Sequence, residues 1–398
     1  LLQDFGEIHA EARQVAKAPV ASRVPSNRVS RPTSRRLAHP RPGTGLADRR
    51  FGLVRRAPEE IIMSDLLPAR ASRRFSPWPL LLATAAVLGA SAWVARRMVK
   101  RAQADHPARG SFVLVDDVRL HFTVHGQPRH PPLVLLHGNG GSADEMELSG
   151  LVAAAAQRYR VYVFDRPGYG HSERPPHRSF TPNAQAALLL HALRVLEVRQ
   201  PIVLGHSWGA LVALAMALRE PGALRSVVLA SGYFTPSLRL DTAWLSAPAL
   251  PVIGTLMRHT LSPVIGRLLW PLMLRRVFAP APVPERFRRG FPVWLSLRPL
   301  TLKASAMESA MLPLQAAWLR PREKDVTVPV VVVAGEKDRL VMTRWQSGRL
   351  VGRLPDATLK TVPGAGHMVH HTATAHVLAA IDEAAARAES PVPVASPS

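Results

Sequence analysis

The stretch Pro201-Ile202-Val203-Leu204-Gly205-His206-Ser207-Trp208-Gly209-Ala210-Leu211-Val212-Ala213-Leu214-Ala215-Met216-Ala217 decides how this chain is read. The apolar run before Gly205 suits a short buried strand and the run after Ser207 suits a helix, so Ser207 falls at a strand-to-helix turn. Such a turn strains the serine backbone and pushes its hydroxyl out of the sheet. Gly205 and Gly209 are required because side chains there would strike the neighbouring strand and helix. The serine also precedes a helix N-terminus, whose unpaired N–H groups and positive dipole end favour a developing oxyanion.

A serine alone is a weak nucleophile and needs a base, an orienting acid and an oxyanion hole. His367 lies in the loop Pro363-Gly364-Ala365-Gly366-His367 after the strand-like run 357–362. Its imidazole, with an ordinary pKa of about 6.5, can take the serine proton and return it to a leaving group. Asp338 follows the run Val330-Val331-Val332-Val333-Ala334-Gly335-Glu336-Lys337 and can accept the other imidazole N–H. Glu336 is the alternative acid, set nearer the strand. The oxyanion hole is assigned to the backbone N–H groups of Trp208 and of Asn139, in the loop His137-Gly138-Asn139-Gly140.

The chain order Ser207, Asp338, His367 is that of the α/β-hydrolases. Over about residues 111–388 the sequence resembles that superfamily, through His137-Gly138-Asn139-Gly140, Phe164-Asp165-Arg166-Pro167-Gly168-Tyr169-Gly170-His171-Ser172, the Ser207 turn, Gly335-Glu336-Lys337-Asp338 and Gly364-Ala365-Gly366-His367. The resemblance implies a mobile cap after the sixth strand, and residues 232–329 fit that place. Epoxide hydrolases and haloalkane dehalogenases are similar but carry Asp at the turn, so Ser207 argues against both chemistries.

The surrounding pattern agrees. Runs at 112–115 and 119–124 alternate like paired strands around Asp116-Asp117, and 133–136 is fully apolar. Strands at 161–164, 202–204, 226–230 and 330–333 then alternate with helices at 183–198, after Ser207, and at 372–386. This alternation predicts an α/β fold with a mostly parallel central sheet, helices on both faces and the site at the strands' carboxyl ends. The core is expected at 111–231 and 330–388, with 232–329 as an inserted helical cap and 389–398 as a disordered tail.

The N-terminal quarter differs in kind. The formal net charge is +23, and residues 1–110 supply about +12 of it. Residues 1–76, rich in Arg, Pro, Ser and Ala, read as disordered. Met63 followed by Ser64-Asp65-Leu66 resembles a conventional start, so 1–62 is read as an over-extension of the coding frame. From Trp78 to Ala95 no residue is charged, and a helix of that length runs about 27 Å, near the hydrocarbon thickness. Residues 77–96 are therefore read as a single membrane span or uncleaved signal, with 97–110 as a linker. Trp78 and Trp93 would anchor its ends, and basic clusters at Arg70, Arg73, Arg74 and at Arg96, Arg97, Lys100, Arg101 bracket it, which leaves orientation open. A signal cleaved at Ala102-Gln103-Ala104 is the rival reading.

The basic balance suits anionic lipid, and no nucleic-acid module or zinc-ligand spacing accompanies it. There is no cysteine, which removes thiolate catalysis, disulfides and Cys-ligated metals. No metal or other cofactor is expected. His370, His371 and His376 read as a solvated helix start, Asp165 and the Gly168–Gly170 turn as loop-shaping residues, and His206 and Trp208 as pocket or packing residues. In the cap, Trp244, Trp270, Trp294 and Trp318 with Met257, Met273, Met307 and Met311 suggest an apolar acyl pocket, with packing of the cap itself as the plainer role.

The expected function is cleavage of carboxylic esters, lipid-like ones included, by a membrane-anchored serine hydrolase with catalytic Ser207, Asp338 and His367. The alternatives are a cofactor-free perhydrolase or haloperoxidase-like activity, a C–C bond hydrolase, and a catalytically silent binding module.

Overall fold

The computed structural model describes residues 76–237 and 245–389. Residues 1–62, the basic cluster at 70–74, Trp244 and most of the expected tail lie outside these. The first described element, helix α1 (Trp78–Asp105), is long and apolar enough to cross a membrane, with a mean hydropathy of 1.6 in its apolar window. It does not end at residue 96. Arg96, Arg97, Lys100 and Arg101 are good helix formers, and the helix runs on through the expected linker until His106 caps it onto Ala102 O.

An eight-stranded sheet follows, in the order β1-β2-β4-β3-β5-β6-β7-β8. β1 (Ser111–Val115) and β2 (Val118–His125) form an antiparallel hairpin. Asp116 and Asp117 both have positive φ, as a two-residue turn matched to strand twist demands. β2 is also antiparallel to β4 (Arg160–Phe164). β3 (Pro132–Leu136), β5 (Ile202–His206), β6 (Ser226–Ala230), β7 (Val330–Gly335) and β8 (Ala357–Val362) are parallel to their neighbours.

Helices cover both faces, and the period-2 alternation of each strand divides its side chains between them. Val134, Leu136, Val203, Val227, Val330 and Val332 pack with α4 (Pro182–Val195) and α5 (Trp208–Arg219). Leu133, Leu135, Ile202, Leu204, Val331 and Val333 pack on the other face, with α3 (Leu151–Ala155) and the final helix α13 (Thr374–Glu389). α2 (Ala143–Leu148) adds Met146 to this second layer. α4 begins where Thr181 accepts the Ala184 N–H and Pro182 presets the first turn.

Between β6 and β7 the described chain is helical, and this insertion is called the cap here for its place between the two strands. It contains α6 (Ile253–His259), α7 (Leu261–Phe278), α8 (Glu285–Gly290), α9 (Val293–Ser296) and α10 (Pro299–Leu319). Leu274, Phe278, Phe287 and Phe291 form its own small core, with Trp270 stacked on Phe291. Met368, next to His367, joins that cluster and ties the cap to the β8 loop. α11 (Ser347–Val351) and α12 (Val369–Thr372) complete the core domain.

Candidate active site

Ser207 sits between β5 and α5 with φ 52° and ψ −114°, a backbone state that L-residues avoid and that the surrounding packing must enforce. Its N–H donates to Ala230 O on β6 at 2.8 Å. The flanking glycines have the role expected of them. A Cβ on Gly205 would lie 2.1 Å from Gly209 O, and one on Gly209 would lie 2.4 Å from Leu136 O. Trp208 opens α5, so its N–H has no acceptor one turn earlier.

The β3 loop approaches from the adjacent strand. A Cβ on Gly138 would sit 3.1 Å from the Ser207 Cβ, which places the His137–Gly140 backbone against the serine. His137 is buried within this loop. It accepts the Arg166 N–H at Nε2 (3.0 Å) and donates from Nδ1 to Gly138 O (2.7 Å), which defines one neutral tautomer. Burial and the Arg166 charge push its pKa down to about 4.

Asp338, just past β7, meets His367, past β8, at 2.8 Å between Oδ2 and Nδ1. Its Oδ1 accepts the N–H groups of Leu340 and Val341, each at 2.9 Å, so the carboxylate is fixed in the plane the imidazole needs. Glu336 is turned away and caps the Gly364 N–H instead. His206, the neighbour of Ser207, bonds His367 O through Nε2 at 3.2 Å, with the two rings 4.9 Å apart. Ser207 Oγ makes no hydrogen bond among the described residues. The structure thus joins the acid and the histidine directly, and brings the serine to them through His206.

Behind the loop lies a buried network absent from the sequence reading. Arg166 donates from Nε to His137 O (2.8 Å) and from Nη2 to Gly138 O (3.0 Å), and pairs through Nη1 with Glu308 on cap helix α10 (2.5 Å). Tyr169 and Gln185 also donate to Glu308, at 2.8 and 3.1 Å. Burial opposes the Arg166 charge, yet the Glu308 carboxylate holds its pKa above the ordinary arginine value. Asn139, expected to act through its backbone, also uses its side chain: Nδ2 donates to Ser305 O and to Ser309 Oγ, both on α10. Glu308 is the sole acid of α10, set in an otherwise apolar run, and that isolation was its one signal in the sequence.

Asp165 does shape its loop, accepting from His121 Nδ1 (2.7 Å), Ala143 N (2.7 Å) and His171 N (2.8 Å). Burial pushes this carboxyl up, but these donors override it and hold it at about 2. His370 and His371 are not a solvated helix start: both are buried, and both donate Nε2–H to Glu145 Oε1, at 2.5 and 2.8 Å. The partner lies more than two hundred residues away in sequence, beyond the reach of spacing. Glu145, His370 and His371 are also close enough to hold a metal ion, and Glu145 Oε2 and both Nδ1 atoms are buried without a partner among the described residues. His376 is exposed and apart from them.

The cap aromatics divide. Trp270 packs inside the cap, whereas Trp318 is half exposed under Arg322 and Met273 is exposed. His206 and Trp208 are both buried.

The alpha/beta hydrolase fold family matches residues 131–374. The chain belongs to this family. Among its relatives, it is 30% identical over 262 residues to a pimeloyl-[acyl-carrier protein] methyl ester esterase of Methylococcus capsulatus, covering 63% of this chain and 94% of that protein. It is 26% identical over 279 residues to haloalkane dehalogenase 2 of Mycobacterium bovis, covering 67% and 91%. A solved membrane phospholipase A superposes with a TM-score of 0.53 at 21% identity, over 77% of this chain and 97% of that one, a likeness of fold. The chain is accordingly a hydrolase of the α/β family.

Proposed function

We propose that the protein is a serine hydrolase that cleaves carboxylic esters through an acyl-enzyme on Ser207. The observation that carries this reading is the strained Ser207 turn, whose neighbour His206 bonds the backbone of a His367 that is itself bonded to Asp338. His367 takes the proton as Ser207 Oγ attacks the ester carbonyl, and Asp338 stabilises the imidazolium. The N–H groups of Trp208 and Asn139 receive the oxyanion. The leaving alcohol then takes the proton from His367, and water activated by the same histidine releases the acid.

The esterase among the relatives acts on a methyl ester by its name, and a serine at the turn supports the same bond class here. The dehalogenase relative does not alter this, because haloalkane dehalogenases resemble this chain but carry Asp at the turn where it has Ser207. α1 would make the enzyme a single-pass membrane protein, and lipid-like esters are then the substrates within reach.

An active-site-directed fluorophosphonate and a panel of esters of graded chain length test the proposal. Wild type is expected to label and to turn over esters, and Ser207→Ala to do neither. Folded wild type that does not label would favour a silent binding module, and turnover surviving in Ser207→Ala would move the nucleophile elsewhere.

A further inference from the structure

Cap helix α7 carries an apolar ridge that no described part of the chain covers. Ile265, Leu268, Leu269 and Leu272 recur at i, i+3, i+4 and i+7, the spacing of one helix side. All four are exposed, Leu268 by 75% and Leu272 by 67%, and Ile253 and Leu256 on α6 continue the surface. A contiguous apolar patch of this kind marks an interaction site, whereas scattered exposed leucines do not.

The position of α1 indicates what covers it. Ser91 Oγ donates to Thr260 O, at the junction of α6 and α7, at 2.8 Å. Beyond this pin the second half of α1 packs against α7 and α9, burying Ala95 and Ala102. Before it, the first half of α1 carries exposed Leu80, Leu81 and Leu82. The free apolar half of the helix and the α6–α7 ridge therefore meet at one point. Basic residues follow: Arg96, Arg97, Lys100 and Arg101 on α1 lie past the pin, and Arg267 and Arg275 flank the ridge. Hydrocarbon contact bordered by cations is what a bilayer with anionic headgroups accepts, and a soluble protein partner would have no need of that order.

We infer that the α6–α7 ridge is seated in the interfacial layer of the same bilayer that α1 spans. The inference rests on α1 as a span and is independent of the ester chemistry. It makes the cap a second membrane contact, which holds the His367 loop, tied to the cap through Met368, at the lipid surface.

Because the chain has no cysteine, single-cysteine variants can carry an environment-sensitive fluorophore on the full-length protein. Leu82→Cys, Leu268→Cys, Leu272→Cys and, on β8, Lys360→Cys would be placed in phosphatidylcholine–phosphatidylglycerol vesicles containing spin-labelled lipid quenchers. Leu82 is expected to be quenched by deep labels, and Leu268 and Leu272 by shallow labels several-fold more than Lys360. If Leu82 is quenched while the ridge behaves like Lys360, the span stands and the docking of the cap is overturned. If Leu82 is not quenched either, the span fails and takes the docking with it. A ridge probe that is blue-shifted yet insensitive to lipid quenchers would show that protein covers the ridge, and would also overturn the inference.

Discussion

Removal of the Glu308 carboxylate takes away the acceptor of a buried cluster that links α10 to the β3 loop through Arg166, and the expected cost follows from the burial. Arg166 and Glu308 are both fully buried, and Glu308 accepts from Arg166, Tyr169 and Gln185. In Glu308→Ala the guanidinium keeps its bonds to His137 O, Gly138 O and Gln185 Oε1 but loses its counter-charge. Breaking a buried pair on one side costs about 3–5 kcal/mol, because the remaining charge stays desolvated. At roughly 2–4 °C per kcal/mol, Tm should fall by about 6–20 °C. The double variant Arg166→Met/Glu308→Leu removes both charges and should recover most of that loss, since well-packed apolar replacements of buried pairs are near neutral. Thermal unfolding of Arg166→Met, of Glu308→Leu and of the double variant measures the coupling. Additive single effects, or a Glu308→Ala protein as stable as wild type, would refute the account. Where the double variant regains stability but not activity, the Arg166 bonds to the His137 and Gly138 carbonyls are what position the oxyanion loop.

Ser207→Gly should abolish hydrolysis and raise stability by about 1 kcal/mol: relief of backbone strain, of order 1–3 kcal/mol, exceeds the entropy that glycine loses; chemical denaturation checks the sign. Asp338→Asn should lower kcat by about 10⁴, as loss of the corresponding carboxylate does in serine proteases, because an amide favours the wrong imidazole tautomer. Glu336→Gln should leave kcat near wild type, since that side chain caps a turn. The buried His137 is neutral in the fold with its pKa at about 4 against an ordinary 6.5. Between these values the unfolded chain binds a proton that the fold does not, so this residue withdraws stability as pH falls from 6.5 to 4, by up to about 3 kcal/mol. NMR of the ring nitrogens should show the Nδ1–H form persisting to about pH 4, and protonation near 6.5 would sink the assignment.

The local rules of the chain were legible where one segment sufficed. Gly205, Ser207 and Gly209 announced their turn, because a strand, a tight bend and a helix are adjacent in sequence and the steric need for glycine is local. The strand–helix alternation and the paired Asp116-Asp117 turn likewise foretold the sheet. Asp338 and Glu336 were both open in the sequence, and the backbone past β7 brings Asp338 to His367 and Glu336 to the Gly364 N–H.

Other features depended on distant chain segments meeting. His370 and His371 looked solvated because their partner, Glu145, arrives from α2 across the sheet. Glu308 looked like a stray acid in an apolar helix until α10 brought it onto Arg166. Asn139 acquired a side-chain role only when Ser305 and Ser309 approached. The sequence by itself determined the Ser207 turn, the alternating core and the apolar length of α1, since each follows from sterics or hydrophobic periodicity within one segment. Only the tertiary structure decided which buried charges neutralise one another, how α10 bonds the β3 loop, and where α1 meets the α6–α7 ridge. Those depend on desolvation and Coulomb energy between groups far apart in the chain, which no local pattern encodes.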